Sequence, residues 1–248
     1  TFTNRAASEM LERARSLVGP GISGIWGGTF HHMANRMLRR HAASVGHRSD
    51  FTILDRDDSK SIVGDCVKHL KLTHEEFPKK EVLLGLFSSA ANTESALDRV
   101  IERRFADIEV DAVDIIRVHE EYERRKKAMG AMDFDDLLLN CLRLFREDAR
   151  VLDLYQSKFQ HVLVDEYQDT NTIQAQLVDH LAGKHRNILV VGDDFQSIYA
   201  WRGANFRNIM SFPKRYADAI TYKLETNYRS VPEILAVANA CIAGNPDQ

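Results

Sequence analysis

HVLVDEYQDTN at residues 161–171 and NILVVGDDFQSIYAWRGA at 187–204 decide the fold class of this chain. In each, a short apolar run stops abruptly at carboxylates. Val162, Leu163 and Val164 lead into Asp165 and Glu166; Ile188 to Val191 lead into Gly192, Asp193 and Asp194. Buried parallel strands read as such runs, and open α/β sheets present their ligand sites at strand carboxyl ends. The expectation is an α/β protein whose parallel strands deliver acidic side chains to a nucleotide site. No GxxxxGK[ST] phosphate loop occurs in the 248 residues.

Working outward, helices are predicted over about 5–18, from TFHH at 29–32 to about Ala43, and from MDFDDLLLNCLRLF at 132–145. Along the first, Ala6, Met10, Ala14 and Leu17 or Val18 fall on one face, with Thr3 or Asn4 as cap. GPGISGIWGG at 19–28 reads as a glycine-rich turn around a short strand, and FTIL at 51–54 as another strand. From about 56 to 128 the pattern is helical and polar, with no acid-ended strand. The order is α/β, helical insertion, α/β, with both α/β parts in one sheet. A further helix is predicted over 231–243, after a strand end at LETNYRS, 224–230.

Bulk properties fit a soluble globular chain of ordinary composition, 44% hydrophobic and 28% charged. The net charge is −3, but residues 1–48 hold seven arginines against Glu9 and Glu12. That local balance, 7 − 2 = +5, fits either a localised polyanion site or a solvated helix face. Cys66, Cys141 and Cys241 form no CxxC pair, which points to a reducing, cytoplasmic setting without zinc or a disulfide framework. No apolar run approaches membrane-spanning length.

The strand ends suggest specific chemistry. Asp165 suits the Walker B role, a carboxylate that holds Mg²⁺ through its water shell. Glu166 suits the base that orients and deprotonates an attacking water. An apolar run ending in Asp-Glu is common at ordinary strand-to-loop transitions; Gln168, Asp169, Thr170 and Asn171 make this one more specific. Gln196 can meet a terminal phosphate, since its amide both donates and accepts. Tyr199 and Trp201, followed by Arg202, make a stacking platform for unpaired bases. Tyr228 can stack on an adenine, and Arg229 can neutralise charge developing on a transferred phosphoryl group.

TFTNRAASEM, GTFHH, DFDDLL, VLVDEYQDTN, VVGDDFQSIYAWRGA and LETNYRS resemble, in order, the motifs of the UvrD/Rep/PcrA family of superfamily 1 DNA helicases. The resemblance spans essentially the whole chain. It implies a RecA-like P-loop NTPase core, discontinuous over 1–55 and 129–224. An all-helical insertion domain over 56–128 and the start of a second RecA-like domain over 225–248 complete the expected layout. It implies ATP-driven 3′-to-5′ movement on single-stranded DNA and unwinding at single/double-strand junctions. ATP and Mg²⁺ would be the cofactors, and DNA repair or replication proteins possible partners; no membrane is involved.

Residue by residue, Asp165 is then the magnesium carboxylate, Glu166 the base, Gln196 the γ-phosphate sensor, Tyr228 the adenine stacker and Arg229 a γ-phosphate arginine. Phe2, Asn4, Thr29, Phe30, His31, Tyr199, Trp201 and Arg202 match positions lining the DNA track. Phe195 stands where the family commonly has an acid, and Arg5 where lysine is common. Without the phosphate loop and most of the second core domain, the chain is expected to be an inactive core fragment. Two other readings compete: a non-catalytic nucleic-acid-binding or partner module, and the helicase subunit of a RecBCD/AddAB-like helicase-nuclease.

Overall fold

A computed structural model of the chain describes residues 1–19, 24–105, 112–199 and 203–244. Helix α1 (Asn4–Val18) begins where the Thr3 hydroxyl accepts from the Ala6 N–H, and it ends at Gly19 with φ +74°. Its predicted apolar face is mostly uncovered: Ala7 is buried, whereas Met10, Leu17 and Val18 are exposed. Of the glycine-rich stretch that follows, residues 20–23 lie outside the described residues, and 24–28 form no strand.

Helix α2 (Phe30–His41) is capped by Thr29, whose hydroxyl accepts from the His32 N–H. It packs with α7 (Phe134–Glu147), α8 (Ala149–Lys158) and α9 (Thr172–Ala182) around Met37, Leu38, Leu138, Phe145 and Tyr155. Apolar residues recurring at helical spacing on α7, Leu137, Leu138, Cys141, Leu142 and Phe145, make this possible, and an Asp133/Asp136 capping box fixes where the helix starts.

Between them lie α3 (Arg56–His69), α4 (Lys80–Thr93), α5 (Leu97–Arg104) and α6 (Ala112–Ala128). These four helices enclose an apolar cluster of their own, including Val63, Leu83, Phe87, Ile115 and Tyr122. The helical pattern expected for 56–128, with no acid-ended strand, matches the described residues.

The sheet differs from expectation. Strand β1 (Thr52–Ile53) pairs in parallel with β2 (Ala131–Met132), and β3 (Val162–Val164) in parallel with β4 (Ile188–Val190), as two separate two-stranded sheets. Each strand is only two or three residues long. The pair β3/β4 is also buried on one face only. Val164 lies in a third cluster with Tyr167, Val178 and Phe212, while Leu163 and Leu189, side by side in the register, are 68% and 53% exposed. Alternation of side chains in a strand makes that division unavoidable once helices cover a single face.

After two short helices, α10 (Arg207–Met210) and α11 (Phe212–Arg215), no strand forms before α12 (Pro232–Ile242), which buries no residue. The strand end predicted at LETNYRS is therefore irregular backbone.

Candidate nucleotide and nucleic-acid site

At the end of β3 the backbone turns sharply. Glu166 adopts φ +55°, ψ +42°, a left-handed conformation that costs a non-glycine residue roughly 1–3 kcal/mol and so needs support from its surroundings. A short 3-10 turn over Tyr167–Asp169 follows. Tyr167 is fully buried, its N–H donates to the Val191 carbonyl, and its hydroxyl accepts from Arg215 at 2.7 Å. Burial raises the Tyr167 hydroxyl pKa, against the pull of Arg215. The Thr170 hydroxyl donates to the Tyr167 carbonyl at 2.6 Å, and the Asn208 amide donates to the Thr170 carbonyl at 2.9 Å. These contacts hold Asp165 and Glu166 at the mouth of the strand pair.

From Glu166 a continuous hydrogen-bonded line crosses to the end of β4. Gln168 Nε2 donates to Glu166 Oε2 at 2.8 Å, and Gln168 Oε1 accepts from the Asp193 N–H at 3.1 Å. Asp193 Oδ2 then accepts from Gln196 Nε2 at 2.7 Å. The proposed base and the proposed phosphate sensor are therefore joined through two intermediate residues. Asp165 is half-buried and makes no ion pair among the described residues. Asp169 Oδ1 is buried without a hydrogen-bond partner, and burial followed by the Glu166 charge raises its carboxyl pKa.

A second set of predicted residues gathers at the start of α2. The Phe2 and Phe30 rings lie 6.0 Å apart, and His31 meets Phe134 edge-on at 5.7 Å. Burial lowers the His31 pKa, disfavouring the charged ring. Thr29 is engaged as a helix cap, and Asn4 is exposed at the first turn of α1. One residue past Phe134, Asp135 accepts from Asn92 Nδ2 at 2.9 Å, and Asn92 Oδ1 accepts from Asn171 at 2.6 Å. Gly203 seats against Asn92: a Cβ there would come within 3.2 Å of the asparagine's own. Tyr199 is partly exposed, and its carbonyl accepts from the Ala204 N–H. Trp201 and Arg202 lie outside the described residues.

The basic N-terminal region is more structural than its charge implies. Arg39 donates to the Ser49 and Phe51 carbonyls, Arg5 pairs with Glu9, Arg48 with Asp50, and Arg36 covers the Trp26 ring at 3.5 Å. Tyr228 and Arg229 are not brought to the strand ends. Tyr228 is 94% exposed, Arg229 is exposed, and neither side chain has a partner among the described residues.

Residues 1–217 match the model of the UvrD/REP helicase N-terminal domain. The chain is 42% identical over 253 residues to a protein named ATP-dependent DNA helicase PcrA from Staphylococcus aureus. It is also 42% identical over 250 residues to the protein of that name from Bacillus subtilis. All of this chain is covered in both comparisons, and it spans 33% of the length of each relative.

Proposed function

The chain belongs to the UvrD/REP helicase family, and on that premise we propose that it carries the hydrolytic strand ends and part of the DNA track of an ATP-driven helicase. Movement would run 3′ to 5′ along single-stranded DNA, with unwinding at junctions. Residues 1–55 and 129–224 would form the RecA-like core, 56–128 its helical insertion, and 225–248 the approach to a second core domain.

The hydrogen-bonded line from Glu166 to Gln196 is the observation that carries this reading. A hydrolytic site needs a base near the attacking water and a donor near the departing phosphate, held in fixed relation. Glu166 would take the proton of the attacking water, and Gln196 would register the terminal phosphate by exchanging its Asp193 contact for a phosphate oxygen. Gln196 also lies three residues from Tyr199, giving a short route from phosphate to the stacking segment.

The residues at the β3 end also fit a magnesium ion. Asp165 has no competing cation side chain, and the orphaned Asp169 oxygen lies near the same strand end. Mg²⁺ retains much of its water shell and takes one or two carboxylates beside substrate phosphates. When bound it would neutralise charge on those phosphates; Asp165 would hold it. Phe2, Phe30, His31 and Tyr199, with Trp201 and Arg202, would face the DNA bases and backbone. Tyr228 and Arg229 would reach the nucleotide only after the exposed 219–231 segment moves against the strand ends.

Glu166→Gln tests the assignment in a protein containing this chain. Nucleotide binding should survive, while steady-state ATP hydrolysis should fall by at least about a hundredfold, the scale of general-base loss. Normal turnover in that variant would remove Glu166 from the role of base.

A further inference from the structure

Gln168 is 1% exposed, yet both ends of its amide are engaged. Its orientation follows from its partners. The Asp193 N–H can only donate, so the atom facing it at 3.1 Å is the amide oxygen, and the NH₂ must face Glu166 at 2.8 Å. Glu166 alone is poorly constrained: it is exposed, and its backbone sits in the left-handed region. Gln168 is the side chain that fixes where the carboxylate points.

The far side of the amide is equally particular. A Cβ on Gly192 would collide with the Gln168 oxygen and approach Ile209 Cδ1 to 2.8 Å. The glycine therefore opens the space that lets the amide reach the Asp193 backbone. We propose that Gln168 is a positioning residue, aiming the Glu166 carboxylate while it locks the end of β4 that carries Gln196. This rests on the reading of Glu166 as the base.

Gln168→Glu in a protein containing this chain is the discriminating variant. It keeps the shape and can still accept from the Asp193 N–H, but it replaces the NH₂ facing Glu166 with a carboxylate oxygen, so the contact that aims the base is lost. At neutral pH kcat should fall about tenfold or more, with KM within about twofold, as expected for a group acting on the reacting step rather than on binding. A merely structural role would raise KM and lower the urea midpoint along with kcat. Gln168→Leu, which has neither donor nor acceptor, should lower kcat with the same split, and it serves if the first variant does not fold. Wild-type kcat in a folded Q168E or Q168L, or a KM that rises in step with the loss of kcat, would overturn the proposal. If E166Q is inactive while these variants are normal, only the role of Gln168 falls; if E166Q is active, the base assignment falls first.

Discussion

At Asn208 a single buried side-chain amide donates to the Thr170 carbonyl at 2.9 Å, the Thr170 hydroxyl at 3.1 Å and the Asn171 carbonyl at 3.2 Å. Those acceptors belong to the turn that presents Glu166. Asn208→Ala removes that donor, while the Thr170 carbonyl keeps the Asn205 N–H, the Asn171 carbonyl keeps the Ala175 N–H and the Thr170 hydroxyl keeps its bond to Tyr167. The chain should therefore lose about 1–1.5 kcal/mol in urea denaturation, the scale of net hydrogen bonds rather than of an orphaned group. A loss below about 0.5 kcal/mol would show that the turn holds itself. Residues of this kind were not legible in the sequence, because Asn208 and Thr170 are far apart and neither motif names the other. Asp165 and Glu166 were legible because an apolar run that stops at two acids is a local pattern. Gln168 stood in a recognisable string, but the direction of its amide became visible only when Asp193 was placed opposite.

At the scale of elements, the joint between α6 and α7 carries a concentrated set of charges. Lys126, at the end of α6, contacts Asp133 at 2.8 Å, Asp136 at 2.7 Å and Glu123 at 2.7 Å; the Tyr122 hydroxyl also donates to Asp133 at 2.8 Å. Burial opposes the Lys126 charge, but the three carboxylates outweigh it and raise its pKa. Burial likewise opposes the Asp133 charge, but Lys126 and the hydrogen bonds hold its carboxyl below the usual range. Asp136 is pushed up to about 7, by burial first and by the Asp133 charge second. A carboxyl raised in the folded state favours folding when protonated. Its contribution is full below about pH 4, the unfolded value, and is lost as pH rises through about 7. Urea midpoints should therefore decline over that window, and Asp136→Asn should flatten the decline. An identical slope in the variant would place the titration elsewhere. Sequence periodicity anticipated α7, but β2, only two residues long, carries no readable alternation and emerges solely through its pairing with β1.

At the scale of the molecule, three apolar clusters among the described residues divide the work: one under α2, α7, α8 and α9, one within α3 to α6, and one behind β3 and β4. The 219–229 stretch contributes to none of them and is exposed throughout. Trypsin acting on the 248-residue chain should therefore cut first at Lys223 or Arg229, detectable by mass spectrometry of the early fragments. Early cuts inside α7 or α9 instead would mean that those helices open more readily than the exposed stretch. From its residues alone, the chain declared the two acid-ended strands, the helical character of 56–128 and the helicase resemblance. Each of these depends on neighbours a few positions apart, where hydrophobic periodicity and motif spacing operate. Tertiary structure decided the division into two strand pairs and the one-sided burial of β3 and β4. It also decided the engagement of basic N-terminal side chains in local contacts and the hydrogen-bonded line from Glu166 to Gln196. Those features depend on which distant groups meet, and on which buried donors find acceptors, so no local pattern could declare them.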